Sequence, residues 1–319
     1  NQVGAQLALA AVLALMLYLD GGTRQKQPSR ANADKPFGLV WFVLLSIGCM
    51  LTASRGAFVT WAAGVAVLLL WGARSLTRRR LNDLVPASGH LLHMPSHIYV
   101  KTGHWEEAIV QNQKAMKADA SYRELSPNQG LQHLYMVHNS HMLAYAAMMS
   151  GREREAMAAA RAMWANIPEP VLKEVGPIFD LWMCSVYDVQ KRFGRWDAIL
   201  AEDGPPDYLP ITNAIWRAHR AIAWAAKKDF EKAEEEFEAF RRAKAALPED
   251  HMALTDSAHT VLDVSDHFIA GEIALQQGQW SEAEQHLLRA IEIEDALTYG
   301  EPPQWLQPVR HTLGAVYLK

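Results

Sequence analysis

The pattern of hydrophobic and polar positions changes character part-way along the chain. Residues 1–80 hold three runs, at about 3–19, 37–53 and 57–73, that are apolar on every face and are fringed by Arg and Lys. Each is near 17 residues long, the short end of what spans a hydrocarbon core of about 30 Å. From residue 81 onward apolar residues recur at helical spacing with polar ones between them, and no run is long enough to cross a bilayer. The pattern predicts an all-α chain. Two or three transmembrane helices fill residues 1–80, and a degenerate α-solenoid fills residues 81–319.

The solenoid reading comes from turns. Lys101-Thr102-Gly103-His104-Trp105, Ser150-Gly151-Arg152, Phe193-Gly194-Arg195-Trp196, Lys227-Lys228-Asp229-Phe230 and Gln277-Gly278-Gln279-Trp280 each separate two amphipathic stretches. An alanine follows each turn: Ala108, Ala156, Ala198, Ala233 and Ala283. Small residues sit seven positions before the turn residue, at Ser96, Ala144, Ala221 and Gly271. Antiparallel helices approach closely only where both offer small side chains, and the turn needs a residue tolerant of positive φ. Small residue, turn Gly and Ala form the tetratricopeptide pattern, at irregular spacing. The third unit lacks the five-residue step from Gly to Ala. About five helix pairs are expected, then an unpaired last helix at 303–319; both chain ends read as cut.

Charge sharpens the division. The overall charge of −4 combines nine basic against two acidic residues in 1–82 with 22 basic against 33 acidic residues beyond. An acidic domain argues against nucleic acid, whose phosphates call for a basic surface. Two cysteines, Cys49 and Cys184, make no disulfide scaffold. The link 20–36 carries Arg24, Lys26, Arg30 and Lys35, and Arg74, Arg78, Arg79 and Arg80 follow the third run. The positive-inside rule places both on the cytoplasmic side, with residues 81–319. The tip Ser54-Arg55-Gly56 then faces the opposite side. Arg55 there either snorkels to headgroups or holds an anionic lipid-linked diphosphate.

Two resemblances follow. Asn1-Gln2-Val3-Gly4-Ala5-Gln6-Leu7 and Leu51-Thr52-Ala53-Ser54-Arg55-Gly56-Ala57 resemble part of the O-antigen ligase/polymerase family, over about 75 residues. That resemblance implies a polytopic bacterial inner-membrane protein moving glycans from lipid-linked carriers. Gly89-His90-Leu91-Leu92-His93-Met94-Pro95-Ser96-His97-Ile98-Tyr99, Thr102-Gly103-His104-Trp105 and Glu294-Asp295-Ala296-Leu297-Thr298-Tyr299-Gly300-Glu301-Pro302-Pro303 are similar to a bacterial tetratricopeptide-repeat family.

Candidate chemistry centres on histidines. His93 and His97 are four apart and His138 and His141 three apart, so each pair can share a helix face. With Tyr99 and Asn139 they form the expected ligand groove. Imidazoles so placed can bind zinc, and His97, His138 and His141 are the nearest approach to a ligand set. Pro95 should start a helix and leave His93 in its cap, and neither Cys nor a His-Glu-x-x-His run accompanies them. No metal, cofactor or catalytic residue is therefore assigned. Trp105, Trp196 and Trp280 are expected in the inter-repeat core, and Glu231, Glu234, Glu235, Glu236 and Glu238 on a solvated helix face. Three functional readings stand open. One is a membrane-tethered repeat protein binding a protein partner, peptide or small ligand in its groove. The second is a ligase fragment with an accessory repeat domain, in which Arg55 carries the chemistry. The third is a metal-dependent enzyme built on the histidines.

Overall fold

Among the described residues five helical hairpins turn where the sequence places its turns. Gly103, Gly151, Gly194, Lys228 and Gly278 have φ of 73°, 76°, 64°, 65° and 80°. This left-handed conformation suits glycine because it has no Cβ to clash. In each turn the next N–H returns to the carbonyl five residues earlier. His104 bonds Tyr99, Arg152 bonds Ala147, Arg195 bonds Gln190, Asp229 bonds Trp224 and Gln279 bonds Ala274, all at 2.8–3.0 Å. The turn thus satisfies carbonyls that the ending helix leaves open.

The computed structural model describes residues 88–126, 130 and 132–318. Residues 85–319 form one of two compact units of the chain. The described helices are α1 Gly89–His93, α2 Pro95–Lys101, α3 Trp105–Leu125, α4 Gln132–Met149, α5 Glu153–Asn166, α6 Glu169–Met183, α7 Ser185–Arg192, α8 Trp196–Ala201, α9 Pro210–Ala226, α10 Phe230–Ala245, α11 Ala258–Gln277, α12 Trp280–Ala296 and α13 Val309–Tyr317. Helix accounts for 76% of the described residues, and one short antiparallel hairpin, β1 Met252–Ala253 with β2 Asp256–Ser257, departs from the all-α expectation. The larger correction concerns the membrane. Among the described residues no helix is long and apolar enough to cross one, so the transmembrane part of the expected fold class is not supported. The segments 3–19, 37–53 and 57–73, with Arg55 and Cys49, lie outside the described residues.

The five-residue step from turn to second helix is kept in all five hairpins. The first backbone bond of each second helix comes from Ala108, Ala156, Ile199, Ala233 and Ala283. Ile199, not Ala198, is therefore the third unit's equivalent. Ile199 is fully buried and Ala198 exposed. The counterpart of Ser96, Ala144, Ala221 and Gly271 in that unit is the bulkier Tyr187. The small residues elsewhere permit contact between helices: a Cβ on Gly271 would lie 2.9 Å from Leu287 Cγ, inside van der Waals range.

First helices stack on first helices, α4 on α7, α7 on α9 and α9 on α11. Asp180 at the end of α6 caps α9, accepting from the Ile211 N–H at 2.7 Å and the Thr212 N–H at 2.8 Å. The helix expected at 303–319 starts only at Val309, after Pro308, and packs on α12. The segment before it, 297–308, has no regular structure and runs back across the array. Thr298 and Gln304 bond to Asp256 of β2. Trp305 meets Phe268 of α11 edge-on at 5.5 Å, and Leu306 joins the apolar cluster of Val100, Val186 and Val189. Glu301 reaches His97 of α2, 204 residues away. The 297–308 segment therefore brings the C-terminal end of the array to its first hairpin.

Candidate functional site

The histidines gather where α1, α2 and α4 meet. Pro95 begins α2, as its fixed φ favours at a first helical position, and His93 closes α1 just before it. Gly89 lets α1 lie on α3, since a Cβ there would fall 2.9 Å from the Ala115 carbonyl oxygen. That approach brings His93 Nδ1 to Asn112 Oδ1 at 2.7 Å. One turn further, His97 Nε2 lies 2.8 Å from His93 Nε2. His97 Nδ1 bonds Glu301 Oε2 at 2.6 Å. His138 enters from α4, its ring centroid 4.6 Å from that of His93 and 5.4 Å from that of His97. His93, His97 and His138 offer ligand atoms all within 4.8 Å of one another.

Burial sets the charge state. It lowers His93 to about 4 against the pull of its Asn112 hydrogen bond. It lowers His138 to about 2, helped by the neighbouring His93, His141, His97 and His90. Both rings are neutral at pH 7 and offer lone pairs, because a desolvated imidazolium is disfavoured. Comparison with protein-family models, curated proteins and solved structures found no match.

Not all expected groove residues share this place. His141, lowered to about 3 by burial despite Asp188, is not one of the three. It stacks on Trp182 at 5.2 Å, and His138 stacks on the same indole at 5.4 Å. Asn139 is fully buried and donates to Asp119 Oδ2 at 2.8 Å, tying α4 to α3. Tyr99 lies in the apolar cluster beside His104. His93, expected in a helix cap, is instead fully buried at the centre of the group.

Sequence reasoning missed Asn112, Glu301 and Trp182. Asn112 had a signal: it lies in the stripe Ala108, Asn112, Ala115, Asp119, at core spacing on α3, and all four are buried. Glu301 had none, because only the path of the 297–308 segment across the inner helices brings it near. Two further expectations change. Glu236 leaves the solvated face for a buried position between Arg217 at 2.9 Å and Arg220 at 2.6 Å. Trp280 is 43% exposed, outside the core, at a surface depression lined by Lys228, Leu275, Gln276, Gln277, Gly278 and Ala315 that includes no histidine.

A second polar group is sealed inside. Asp188 of α7 faces His219 Nε2 at 3.1 Å and accepts from Cys184 Sγ at 3.3 Å. Burial raises the Asp188 carboxyl, but the hydrogen bond from His219 and the charges of His219 and Lys191 hold it below its ordinary value. The Cys184 thiol is pushed well above its ordinary value, first by burial and then by Asp188. It stays a thiol and is no nucleophile, since attack requires the thiolate.

Proposed function

We propose that this chain is a tetratricopeptide-type binding protein whose inner face takes a proline-containing peptide segment without regular structure. The observation that carries this reading is that the inner face already holds one. Residues 299–306, Tyr299-Gly300-Glu301-Pro302-Pro303-Gln304-Trp305-Leu306, lie across α2, α7 and α11. Glu301 engages His97, Lys101 caps the Tyr299 ring at 4.1 Å, Lys191 sits 5.7 Å from the Trp305 ring centroid, and Pro302, Gln304, Trp305 and Leu306 are buried. Stacked helix pairs build such surfaces because each inner helix adds one strip of side chains to the next. Prolines restrict the backbone of a segment before it binds and so reduce the ordering cost. The partner chemistry is accordingly an acidic residue, then prolines, then an aromatic.

The test is a displayed peptide library panned on the full chain and on its Glu301→Gln, Trp305→Ala double variant. Acidic–Pro–Pro–x–aromatic sequences are expected on the variant, where the internal segment is loosened, and not on the parent. Helix content is followed by circular dichroism. A folded variant that enriches no such peptides would sink the reading.

A further inference from the structure

The three clustered imidazoles carry a conflict that a cation resolves. Asn112 donates its Nδ2–H to the Ala108 carbonyl at 2.8 Å, so its Oδ1 is the atom facing His93 and the proton sits on His93 Nδ1. The Glu301 carboxylate likewise draws the proton of His97 onto Nδ1. Both Nε2 atoms then present lone pairs to each other at 2.8 Å. Two lone pairs at that separation repel. His138 adds a third ring whose Nδ1 is buried without a partner.

We propose that His93, His97 and His138 bind one divalent first-row transition ion, zinc foremost. Tetrahedral zinc with bonds of about 2.0–2.1 Å holds its nitrogens about 3.3 Å apart, so small ring rotations bring three atoms now within 4.8 Å into place. Three nitrogen donors exclude the oxygen-preferring calcium and magnesium. The outer partners fit as well. Metal-bound histidines donate their second N–H to a carboxylate or carbonyl, which fixes the ring and raises its basicity. Glu301 and Asn112 accept such bonds from His97 and His93, and His97, at 23% side-chain exposure, opens the way in. Three protein ligands leave one position for water or an anionic ligand. The site also joins α1, α2 and α4 to the 297–308 segment through Glu301. Binding of the ion does not depend on the peptide reading, and its test uses no peptide.

The rival is a proton shared between His93 and His97, which removes the repulsion but gives His138 no role. The full chain, stripped with a chelator, is titrated with cobalt(II) chloride and back-titrated with zinc chloride. The expected result is one equivalent of cobalt per chain with intense tetrahedral absorption, displaced by zinc. His97→Ala and His138→Ala should each weaken binding by about 100-fold or more, and Glu301→Gln by about 10–100-fold. His141→Ala, outside the trio, should leave it unchanged. Circular dichroism checks that each variant folds, and the parent titration stands whatever the variants do. Absence of saturable one-equivalent binding by the parent chain overturns the proposal, as does unchanged binding by folded His138→Ala. A nitrogen-15 signature of imidazolium at His97 that zinc does not abolish overturns it in favour of the shared proton.

Discussion

The first two hairpins and the last two share one turn and differ in what their inner helices carry. In α2 and α4 the inner positions are His97, His138 and His141, set among alanines and methionines such as Ala144, Ala147, Met142 and Met148. In α9 and α11 they are Ile215, Ile222, Val261, Leu262 and Phe268, in one large apolar cluster with Phe237 and Phe240 of α10. Turn geometry is a local property of a few residues and repeats unchanged. The inner face is free to vary, because packing within a hairpin needs only small residues near the turn. The difference separates a half that specifies stability from a half that can specify binding.

The sharpest way to break that division is at its joint. Asp188 lies between the halves, beside buried His219 and Lys191. Asp188→Ala should cost about 3–5 kcal/mol in urea unfolding, because it leaves buried polar partners uncompensated. A loss below about 1 kcal/mol would show that the joint is not sealed. In the apolar half, Gly271→Leu should cost about 2–3 kcal/mol by overpacking against Leu287. The matching change in the polar half, His141→Ala, should cost about 2 kcal/mol through its lost stacking on Trp182. His97→Ala should cost less than about 1 kcal/mol, since its ring is partly exposed. Equal losses at His97 and His141 would make the whole cluster core.

A pH titration sharpens the same contrast. Burial lifts the Glu294 carboxyl from 4.5 to about 7. Between those values the unfolded chain has released a proton that the folded chain keeps, so stability falls as pH rises through this window. Partial solvent access reduces the effect to about 1–2 kcal/mol. Glu294→Gln should flatten that part of the stability profile, and an unchanged slope would remove Glu294 as its source. The smallest effects belong to the turns. Gly278→Ala should cost about 1 kcal/mol and Lys228→Gly should gain about 0.5 kcal/mol, as each trades strain at positive φ. Opposite signs would mean that the turns are not held by the shared backbone pattern.

Much of the fold could be read from the chain because its signals are short-range. A left-handed turn residue, a small residue seven before it and a buried residue five after it all act within about two helical turns. That is why even Lys228, which is no glycine, could be placed from its neighbours. Ala198 failed where composition stood in for register: the residue five after Gly194 is Ile199, and it holds the bonded position. Glu236 failed similarly, since a run of acids conceals which one faces inward to Arg217 and Arg220.

The sequence by itself determined the turns, the hairpins and the wealth of histidine on the first inner helices, because each depends on residues a few positions apart. Tertiary structure alone decided which histidines meet. Helix spacing pairs His93 with His97 and His138 with His141, but the group that forms is His93, His97 and His138, because α1, resting on α3 at Gly89, carries His93 inward. It also decided that Glu301 completes the group. No local pattern links residues 204 apart; the link exists because the inner helices stack side by side and the 297–308 segment runs back across them to the first hairpin.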